Sequence, residues 1–385
     1  MDIQTNPANL VDFDVAIAGG GLAGLSLSIQ LAKLGHRIIL LEKEQYPFHK
    51  VCGEYISLES WNFLLSLGLD LDKMNLPVIS MLQVSAVNGK MSEHQLPLGG
   101  FGLSRYQLDH CLVKIARSTG VIVLENTKVN EISFDGSVFH IETSRQQYQA
   151  KLACGSFGKR SNIDIRWKRQ FIIAARSKLN NFIGVKYHIK SEFPADTIAL
   201  HNFNNGYCGI VKIEDEKCCL CYLTTAANLQ RCRGSVHEME QTILAQNPYL
   251  KGIFLNSEFL YKEPLTISQI SFDKKSQVEN HVMMIGDAAG MITPLCGNGM
   301  SMALHGSKLA AEQIDLFLKQ KITRTEMEQQ YIRQWKKYFS HRLKTGRRVQ
   351  RLFGHKWLTK YFISFARRFP QLVDLLIRQT HGKPY

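Results

Sequence analysis

Residues 13–42 read FDVAIAGGGLAGLSLSIQLAKLGHRIILLE, and this stretch decides the fold. The apolar run Val15–Ala18 predicts a strand that is buried on both faces. A glycine turn at 19–24 follows it, then a helix from Leu22 to about Leu34 and a second strand at Arg37–Leu41. The stretch therefore predicts a strand, turn, helix and strand that open a parallel α/β domain.

The turn fits the pattern G-x-G-x-x-G, in which each glycine has a separate task. Gly19 makes the tight turn, Gly21 lets a diphosphate approach the backbone, and Gly24 lets the helix pack on the strand. Free N–H groups at the helix start, Leu22-Ala23, favour the anionic diphosphate. Glu42, followed by Lys43, ends the second strand and can accept hydrogen bonds from both ribose hydroxyls. NAD and FAD share this fingerprint, so it predicts a dinucleotide without naming it.

A second glycine-rich stretch lies about 245 residues further along the chain. His281–Ile285 predicts a short strand, which ends in Gly286-Asp287, and the aspartate can bind a sugar-like polyol. The stretch 294–299 reads PLCGNG; Pro294 shapes the turn, while Gly297 and Gly299 leave room for a flat ring. The helix that follows Asn298, from Met300 to about Leu318, would direct its positive end at that ring.

Together these motifs resemble the FAD-dependent oxidoreductases of the para-hydroxybenzoate-hydroxylase type. That group includes monooxygenases, flavin halogenases and geranylgeranyl reductases, and the resemblance spans roughly residues 10–320. It implies FAD as the cofactor, with the ribitol held by Asp287 and the ring beside the turn Pro294–Gly299. An NAD enzyme needs no ribitol site so far downstream, so the pairing of motifs favours FAD.

Two shorter segments extend the resemblance. Lys50-Val51-Cys52-Gly53 is similar to the K-x-C-G stretch of geranylgeranyl-reductase-like members, where it runs beside the flavin. Arg105 matches an arginine that opens a helix and reaches the cofactor. Cys52 is the candidate catalytic residue, as a redox-active or steric group, and a buried structural thiol is the alternative. No other catalytic residue can be named from the sequence.

One segment departs from the family pattern. The family often carries D-G-x-x-S after its third strand, and here Gly155–Ser161 has Phe157 at the position of the acid. In the hydroxylases that segment is linked to FAD and to transient NAD(P)H binding. NAD(P)H therefore remains a candidate transient electron donor, to which Lys159 and Arg160 could offer a phosphate contact. The absence of a second complete G-x-G-x-x-G argues against a separate nicotinamide domain.

The fold class expected is α/β (α+β overall). It combines a Rossmann-like FAD-binding domain (1–75, 100–165 and 275–330), an inserted antiparallel-sheet substrate domain (76–99 and 166–274) and a basic helical C-terminal region (331–385). Four predicted strands define the inserted sheet, and Ser235–Gln246 predicts one helix. The strands are Phe182–Ile189, Thr197–His201, Tyr207–Ile213 and Lys217–Thr224.

Composition excludes several classes of protein. The chain has 385 residues, is 45% hydrophobic and carries nine cysteines without an even framework, which indicates a globular cytoplasmic protein. Val15–Ala32 lacks charge, but three consecutive glycines within it argue against a membrane span. On a strand Cys218 and Cys219 would point to opposite faces, so no metal site is expected there.

The positive charge is concentrated at the end of the chain. Residues 331–385 carry fourteen basic and one acidic residue, nearly the whole formal net charge of +14. Aromatic residues such as Trp335 and Phe339 interleave the charges. The pattern fits a helical lid packed on the body, or peripheral contact with an anionic membrane. No nucleic-acid motif accompanies it, so no nucleic acid is expected.

The sequence thus predicts an FAD-dependent oxidoreductase that acts on an apolar small molecule: an isoprenoid, a polyketide or an aromatic. The K-x-C-G segment favours the reductase-like branch. The alternative is a monooxygenase that uses NAD(P)H and O₂ to hydroxylate such a molecule. A halogenase is disfavoured because the chain has no W-x-W-x-I-P stretch. A further alternative is a non-catalytic, membrane-associated module that binds flavin.

Overall fold

A computed structural model describes residues 12–175, 182–350, 364, 368 and 370–385. Parts of three predicted regions therefore lie outside the described residues: 1–11, 176–181 and most of 351–369. The described chain forms two sheets with helices packed against them, which confirms the expected fold class. None of the described helices combines the length and the apolar character that crossing a bilayer requires.

The first sheet has the predicted strand, turn and helix unit at its centre. Its strands are β1 Phe13–Ala18, β2 Ile38–Leu41, β6 Ile122–Leu124, β7 Val129–Phe134, β8 Phe139–Thr143, β9 Gln147–Gly155, β16 Val278–Glu279 and β17 Val282–Met284. β1 pairs in parallel with β2 on one side and with β9 on the other, and the distant strand β17 joins β9, also in parallel. The strand order is β16-β17-β9-β1-β2-β6, with β7 and β8 attached beside β9.

The second sheet has nine strands in the described part of the chain: β3 Tyr55–Ser57, β4 Val78–Ser85, β5 Met91–Gly102, β10 Phe182–Lys190, β11 Thr197–Phe203, β12 Gly206–Lys212, β13 Cys218–Thr225, β14 Glu258–Phe259 and β15 Leu265–Ile270. It is antiparallel except for one parallel pair, β4 with β11. Its order is β14-β10-β13-β12-β11-β4-β5-β3, with β15 beside β10. It includes β3 and the end of β5, which lie in segments that the sequence prediction assigned to the first domain.

The helices pack on the first sheet and on both faces of the second, where the C-terminal helix reaches the inner face through Ile377. The prediction of a single helix over Ser235–Gln246 was wrong, because the helix α7 covers Val236–Thr242 and a separate 3₁₀ turn, Leu244–Gln246, follows. The helices are α1 Leu22–Lys33, α2 Trp61–Leu67, α3 Arg105–Ser118, α4 Asn162–Arg166, α5 Gln170–Ala175, α6 Ala226–Arg231, α7 Val236–Thr242, α8 Pro248–Asn256, α9 Gly299–Leu318, α10 Arg324–Gln350 and α11 Pro370–Thr380.

The two faces of the second sheet have different surroundings. Its outer face, which includes Cys218 and Tyr222, packs on α7 and α8. Its inner face, which includes Tyr207 and Cys219, packs towards Tyr55 and the turn before α9. Cys218 and Cys219 therefore lie on opposite faces, as strand alternation predicts.

The C-terminal region begins as part of the body. Helix α10 packs along α9, and its aromatic residues Tyr331, Trp335 and Phe339 are buried. The lid interpretation is therefore confirmed for this helix. Its exposed side carries basic residues: Arg333, Lys336, Lys337, Lys344 and Arg348.

Candidate functional site

The two glycine-rich stretches meet in space. A Cβ added at Gly286 would lie only 2.9 Å from the Cβ of Ala23, so the second turn sits against the start of α1. One helical turn further on, the Ser26 hydroxyl lies 2.7 Å from the Ser307 hydroxyl. Both hydroxyls are buried, and they join α1 to α9. The elements predicted to hold the two ends of one cofactor are thus neighbours.

The first turn has the geometry that its glycines require. Gly19 has a φ of +106°, which favours glycine, and a Cβ there would meet the Ser156 carbonyl oxygen at 2.5 Å. A Cβ at Gly24 would lie 2.1 Å from the Gly19 carbonyl oxygen. Leu22 and Ala23 are buried in the first turn of α1. Only glycine therefore fits at 19 and 24 without moving the backbone.

Glu42 lies at the end of β2, as predicted, but its carboxylate is already engaged. The Gly20 N–H donates to Oε2 at 2.8 Å and the Glu44 N–H donates to Oε1 at 3.1 Å. These bonds hold the acid beside the turn, where each oxygen keeps a lone pair for a ribose hydroxyl. Lys43, also predicted to bind the cofactor, is exposed and pairs with Glu44 at 3.4 Å.

Two cations lie over Gly21. A Cβ at this position would lie 3.7 Å from Lys50 Nζ and 3.9 Å from the Arg105 guanidinium. Asp109, one turn along α3, accepts from Arg105 Nε at 2.9 Å and lies 3.3 Å from Lys50 Nζ. The Asp109 carboxylate neutralises only one of these two cations, so a net positive charge remains over Gly21. This cradle fits a diphosphate, and hence FAD.

Asp109 itself was missed by the sequence analysis. The spacing Arg105–Asp109 is the i,i+4 spacing of a helix ion pair, which was the available signal. Burial alone would raise the pKa of Asp109, but Arg105 and Lys50 outweigh it and lower that pKa. Asp109 therefore stays charged and holds both cations in position.

The second turn is fixed from behind by two cations, the half-buried Lys275 and the buried Arg169. Lys275 Nζ donates to the Asp287 carbonyl oxygen at 2.8 Å, and Arg169 donates to the Ala288 carbonyl oxygen at 3.2 Å. Arg169 is held in turn by Asp164 at 2.7 Å. Burial raises the pKa of the Asp287 carboxyl, although Lys275 opposes the effect. No sequence pattern pointed to Arg169 or Lys275.

The ring-side turn also has the predicted form. Pro294–Cys296 forms a 3₁₀ turn, Gly297 follows with a φ of +62°, and α9 begins at Gly299 with Met300 buried. A Cβ at Gly297 would lie 3.1 Å from the Tyr55 ring. Asn298 precedes the helix, and its side-chain amide donates to the Thr380 carbonyl oxygen at 2.8 Å. That side chain thus holds the end of α11.

The loop 50–54 runs between these two turns. Its start, Lys50, lies over Gly21, and Tyr55 just after its end packs beside Gly297. Gly53 is exposed, with open space where a Cβ would be, and Cys52 is half-buried. Burial raises the pKa of the Cys52 thiol, so it keeps its proton at neutral pH. The loop therefore has an open side at Gly53.

The other side of this loop is bonded to the inner face of the second sheet. Glu54 is fully buried, with a φ of +55°, and contacts Lys186 and His188 on β10. It also accepts from the Arg105 backbone N–H at 2.8 Å. Burial alone would raise the pKa of Glu54, but Lys186 and His188 hold it at about 2. Cys219 adds a contact from its thiol to the Cys52 carbonyl oxygen at 3.2 Å.

The segment that departs from the family pattern also touches the first turn. The Ser156 N–H donates to the Ala18 carbonyl oxygen at 2.8 Å. Phe157 packs over Gly155, where a Cβ would lie 2.7 Å from its ring. Lys159 and Arg160 contact Ser268 and Gln269, which lie on strand β15 of the second sheet. Their side chains are thus engaged away from the diphosphate cradle.

One buried group of side chains has the composition of a metal site. Ligand atoms of Glu54, His188 and Cys219 all lie within 4.8 Å of one another. Lys186 Nζ contacts the same carboxylate and already balances its charge. Burial raises the pKa of Cys219 well above its ordinary value, so the thiol keeps its proton. The donor set therefore favours an ion-pair cluster over a bound cation.

Comparison with protein families matches residues 12–328 to the FAD binding domain. Conditioned medium factor receptor 1 from Dictyostelium discoideum is 24% identical over 94% of this chain and 72% of its own length. Menaquinone reductase from Mycobacterium tuberculosis is 23% identical over 78% of this chain and 76% of its own. Digeranylgeranylglycerophospholipid reductase 2 from Methanopyrus kandleri is 22% identical over 89% of this chain and 87% of its own length.

Solved structures share the fold at low identity. A geranylgeranyl bacteriochlorophyll reductase-like protein from Thermoplasma acidophilum has a TM-score of 0.76 at 17% identity, over 97% of this chain and 96% of that one. The flavin-dependent halogenase CmlS has a TM-score of 0.74 at 20% identity, over 88% of this chain. This chain spans only 64% of CmlS.

Proposed function

The chain belongs to the FAD binding domain family and is an FAD-dependent oxidoreductase, and from that premise we propose that it reduces an apolar small molecule. The substrate class is an isoprenoid or a related apolar ring compound. Two of its relatives are named as reductases, of menaquinone and of a digeranylgeranyl lipid. Their names support the reductase-like branch.

The observation that carries the proposal is the inner face of the second sheet. Tyr207 and Leu223 on this face cluster with Leu295 of the ring-side turn. Val211 and Cys219 cluster with Tyr55 in the same way. The second sheet therefore covers the ring-side turn with apolar side chains, an environment that suits an apolar substrate and excludes water.

The chain's own residues would position FAD and neutralise the charge of its diphosphate, while FAD supplies the electrons when it is bound. Lys50 and Arg105 would hold the diphosphate over Gly21, and Glu42 the ribose. Asp287 would hold the ribitol. The N-terminus of α9 would stabilise negative charge near the ring.

A monooxygenase is the second candidate. CmlS, named as a flavin-dependent halogenase, shares the fold, and a monooxygenase or halogenase would need O₂. The side chains of Lys159 and Arg160 are bonded to the second sheet. This does not favour a preformed site for an NAD(P)H phosphate. NAD(P)H as a transient donor is nevertheless compatible with the proposed reductase.

Flavin absorbance under argon tests the choice between the reductase and the monooxygenase. The purified holoenzyme is reduced with dithionite and then mixed with menadione, an apolar quinone, without oxygen. The proposed reductase reoxidises its flavin as menadione is consumed, in equal amounts. A flavin that stays reduced until oxygen is admitted, and then incorporates oxygen into an aromatic product, would reject the reductase in favour of the monooxygenase.

We further propose a cytoplasmic location with peripheral contact to anionic membranes through residues 331–385. The exposed side of α10 carries five basic residues, and this supports electrostatic attraction to anionic lipid. Trp335 and Phe339 are buried against the body and Tyr338 is exposed, so contact through this helix would rest mainly on charge.

A further inference from the structure

Tyr55 brings a hydroxyl into an apolar cluster. It lies on β3, is only 5% exposed, and packs with Ile79, Val211 and Cys219 on the inner face of the second sheet. Its hydroxyl is buried and has no hydrogen-bond partner among the residues that the structure describes. Buried hydroxyls normally have a partner, and phenylalanine would fill nearly the same volume without leaving one unpaired. A molecule that binds at this face can supply the missing acceptor.

Two glycines leave room for the ring of Tyr55. A Cβ at Gly297 would lie 3.1 Å from Tyr55 Cδ1, and a Cβ at Gly100 would overlap with Cε2 and with Cζ, the carbon that carries the hydroxyl. Gly297 belongs to the ring-side turn and Gly100 to β5, so the phenol is held between that turn and the second sheet. The hydroxyl is thereby fixed near the predicted position of the flavin ring, on the side that the second sheet covers.

The apolar surface around Tyr55 is partly open. Four side chains that border its cluster are half-buried, so solvent reaches this edge: Leu82, Ile198, Cys221 and Ile377. Half-buried apolar side chains also border the neighbouring cluster around Leu295: Phe182, Ile267, Phe272, Met291 and Val349. Small-molecule sites are typically apolar, with a few polar groups that fix the orientation of the ligand. The inner face with the Tyr55 hydroxyl has this composition.

The surroundings of Tyr55 favour a neutral hydrogen-bond donor. Burial, together with the negative charge of Glu59, raises the pKa of the Tyr55 phenol, so it keeps its proton at neutral pH. The nearby Cys219 thiol is already bonded to the Cys52 carbonyl oxygen at 3.2 Å, so it does not compete for the same acceptor. A carbonyl oxygen in an otherwise apolar molecule accepts a hydrogen bond from a phenol, whereas the carbon–carbon double bond of an isoprenoid offers no comparable acceptor.

We propose that the Tyr55 hydroxyl donates a hydrogen bond to a carbonyl oxygen of the substrate, which is therefore a quinone or a related ring ketone rather than an isoprenoid alkene. The inference rests on the proposed reductase function. Reduction of a quinone to a hydroquinone takes a hydride, with its electron pair, from reduced FAD and one proton from water. Tyr55 keeps its own proton, and its hydrogen bond stabilises the negative charge that builds on the oxygen.

The hydroxyl can be removed with little change in shape. Tyr55→Phe keeps the ring between the two glycines, and Tyr249→Phe makes the same change on α8, where the side chain is exposed. The oxidised holoenzymes are dialysed to equilibrium against 2,3-dimethyl-1,4-naphthoquinone, whose quinone ring has no hydrogen that a thiol can replace, or against 2,3-dimethylnaphthalene. The two probes share their rings and methyl groups, and only the quinone has carbonyl oxygens.

We expect only the binding of the quinone to depend on the hydroxyl. Its affinity should fall about three- to tenfold in Tyr55→Phe, the effect of one neutral hydrogen bond, and stay unchanged in Tyr249→Phe. The affinity of 2,3-dimethylnaphthalene should be the same in all three proteins. A quinone that binds the wild type and Tyr55→Phe equally, or that does not bind the wild type, would overturn the inference. Equal losses for both probes would also overturn it, because Tyr55 would then act through packing.

Three further measurements separate this site from its alternatives. In infrared difference spectra with ¹³C-labelled carbonyls, the C=O stretch of the bound quinone should rise in Tyr55→Phe, since a hydrogen bond lowers its frequency. Without quinone, Tyr55→Phe should resist urea at least as well as the wild type; a less stable variant would reveal a structural partner of the hydroxyl and reject the inference. A tenfold loss of FAD affinity in Tyr55→Phe would assign the hydroxyl to the cofactor and reject it as well.

The reductase function and the binding site can fail separately. If the holoenzyme binds the quinone through Tyr55 but its reduced flavin is not reoxidised by it under argon, the reductase function fails and the binding site stands. If the reduced flavin is reoxidised while the quinone affinities of the wild type and Tyr55→Phe are equal, the reductase function stands and the role of Tyr55 is rejected.

Discussion

The hydroxyl of Ser26 lies 2.7 Å from the hydroxyl of Ser307, although 281 residues separate them. Ser26 is on the helix that follows the first glycine turn, and Ser307 is on the helix that follows the second. The two helices whose N-termini are proposed to face the cofactor are thereby packed side by side. The contact fixes the distance between the diphosphate end and the ring end of the site.

Replacing Gly24 with alanine should abolish tight FAD binding. Its Cβ would lie 2.1 Å from the Gly19 carbonyl oxygen, so α1 must move away from the turn. Gly252→Ala, on α8, is the control, because a Cβ there meets no described atom within 4 Å. We expect FAD affinity to fall at least tenfold in Gly24→Ala alone, measured by flavin fluorescence titration. Equal affinities in two folded variants would contradict the assigned turn.

Lys50→Gln should weaken FAD binding while Lys43→Gln does not. Both residues were predicted to bind the cofactor, but Lys50 lies over Gly21 and Lys43 is exposed beside Glu44. A charge-assisted hydrogen bond contributes about 1.5–3 kcal/mol, so a loss of about ten- to a hundredfold is expected. Affinities measured at several salt concentrations check this. A larger loss of FAD affinity in Lys43→Gln than in Lys50→Gln would contradict the placement of the diphosphate over Gly21.

Glu54→Gln should lower stability most at neutral pH. The folded-state pKa of about 2 lies below the ordinary 4.5, so this carboxylate stabilises the fold above pH 4.5. The contribution is lost as pH falls through 2, and it is on the order of 3 kcal/mol. Urea unfolding from pH 7 down to pH 3 should show the variant's deficit shrinking. Glu258→Gln, in an exposed pair with Lys190, should show little deficit at any pH.

Reversing charges on α10 should weaken binding to anionic vesicles. A triple variant, Lys336→Glu, Lys337→Glu and Lys344→Glu, loses attraction of about 1 kcal/mol for each lysine near the surface. The control reverses three exposed lysines elsewhere: Lys190, Lys251 and Lys262. Sedimentation with phosphatidylserine-containing vesicles measures both. If the two variants bind alike, contact through the exposed side of α10 is rejected.

Sequence patterns predicted the parts of the site that depend on backbone shape. Gly19, Gly24 and Gly297 could be identified because a tight turn or close approach permits little but glycine. The buried strand β1 and the long helix α9 followed from continuous apolar and amphipathic runs. These features are local, so the sequence around each of them contains the signal.

Contacts between distant side chains could not be predicted in this way. Arg169 holds the Ala288 carbonyl oxygen across 119 residues, and His188 meets Glu54 across 134. Neither pairing leaves a periodic or spacing signal in the chain. Only the way in which the second sheet folds over the loop brings them together. The long-range polar network is therefore a result of the tertiary structure.

The central claim is that one FAD spans the two glycine turns. Native mass spectrometry of the purified protein, after addition of FAD and removal of the excess, tests it most directly. The account predicts one FAD for each chain, lost together in Gly24→Ala and in Asp287→Ala. A folded protein that retains no FAD, or one whose FAD survives both substitutions, would contradict it.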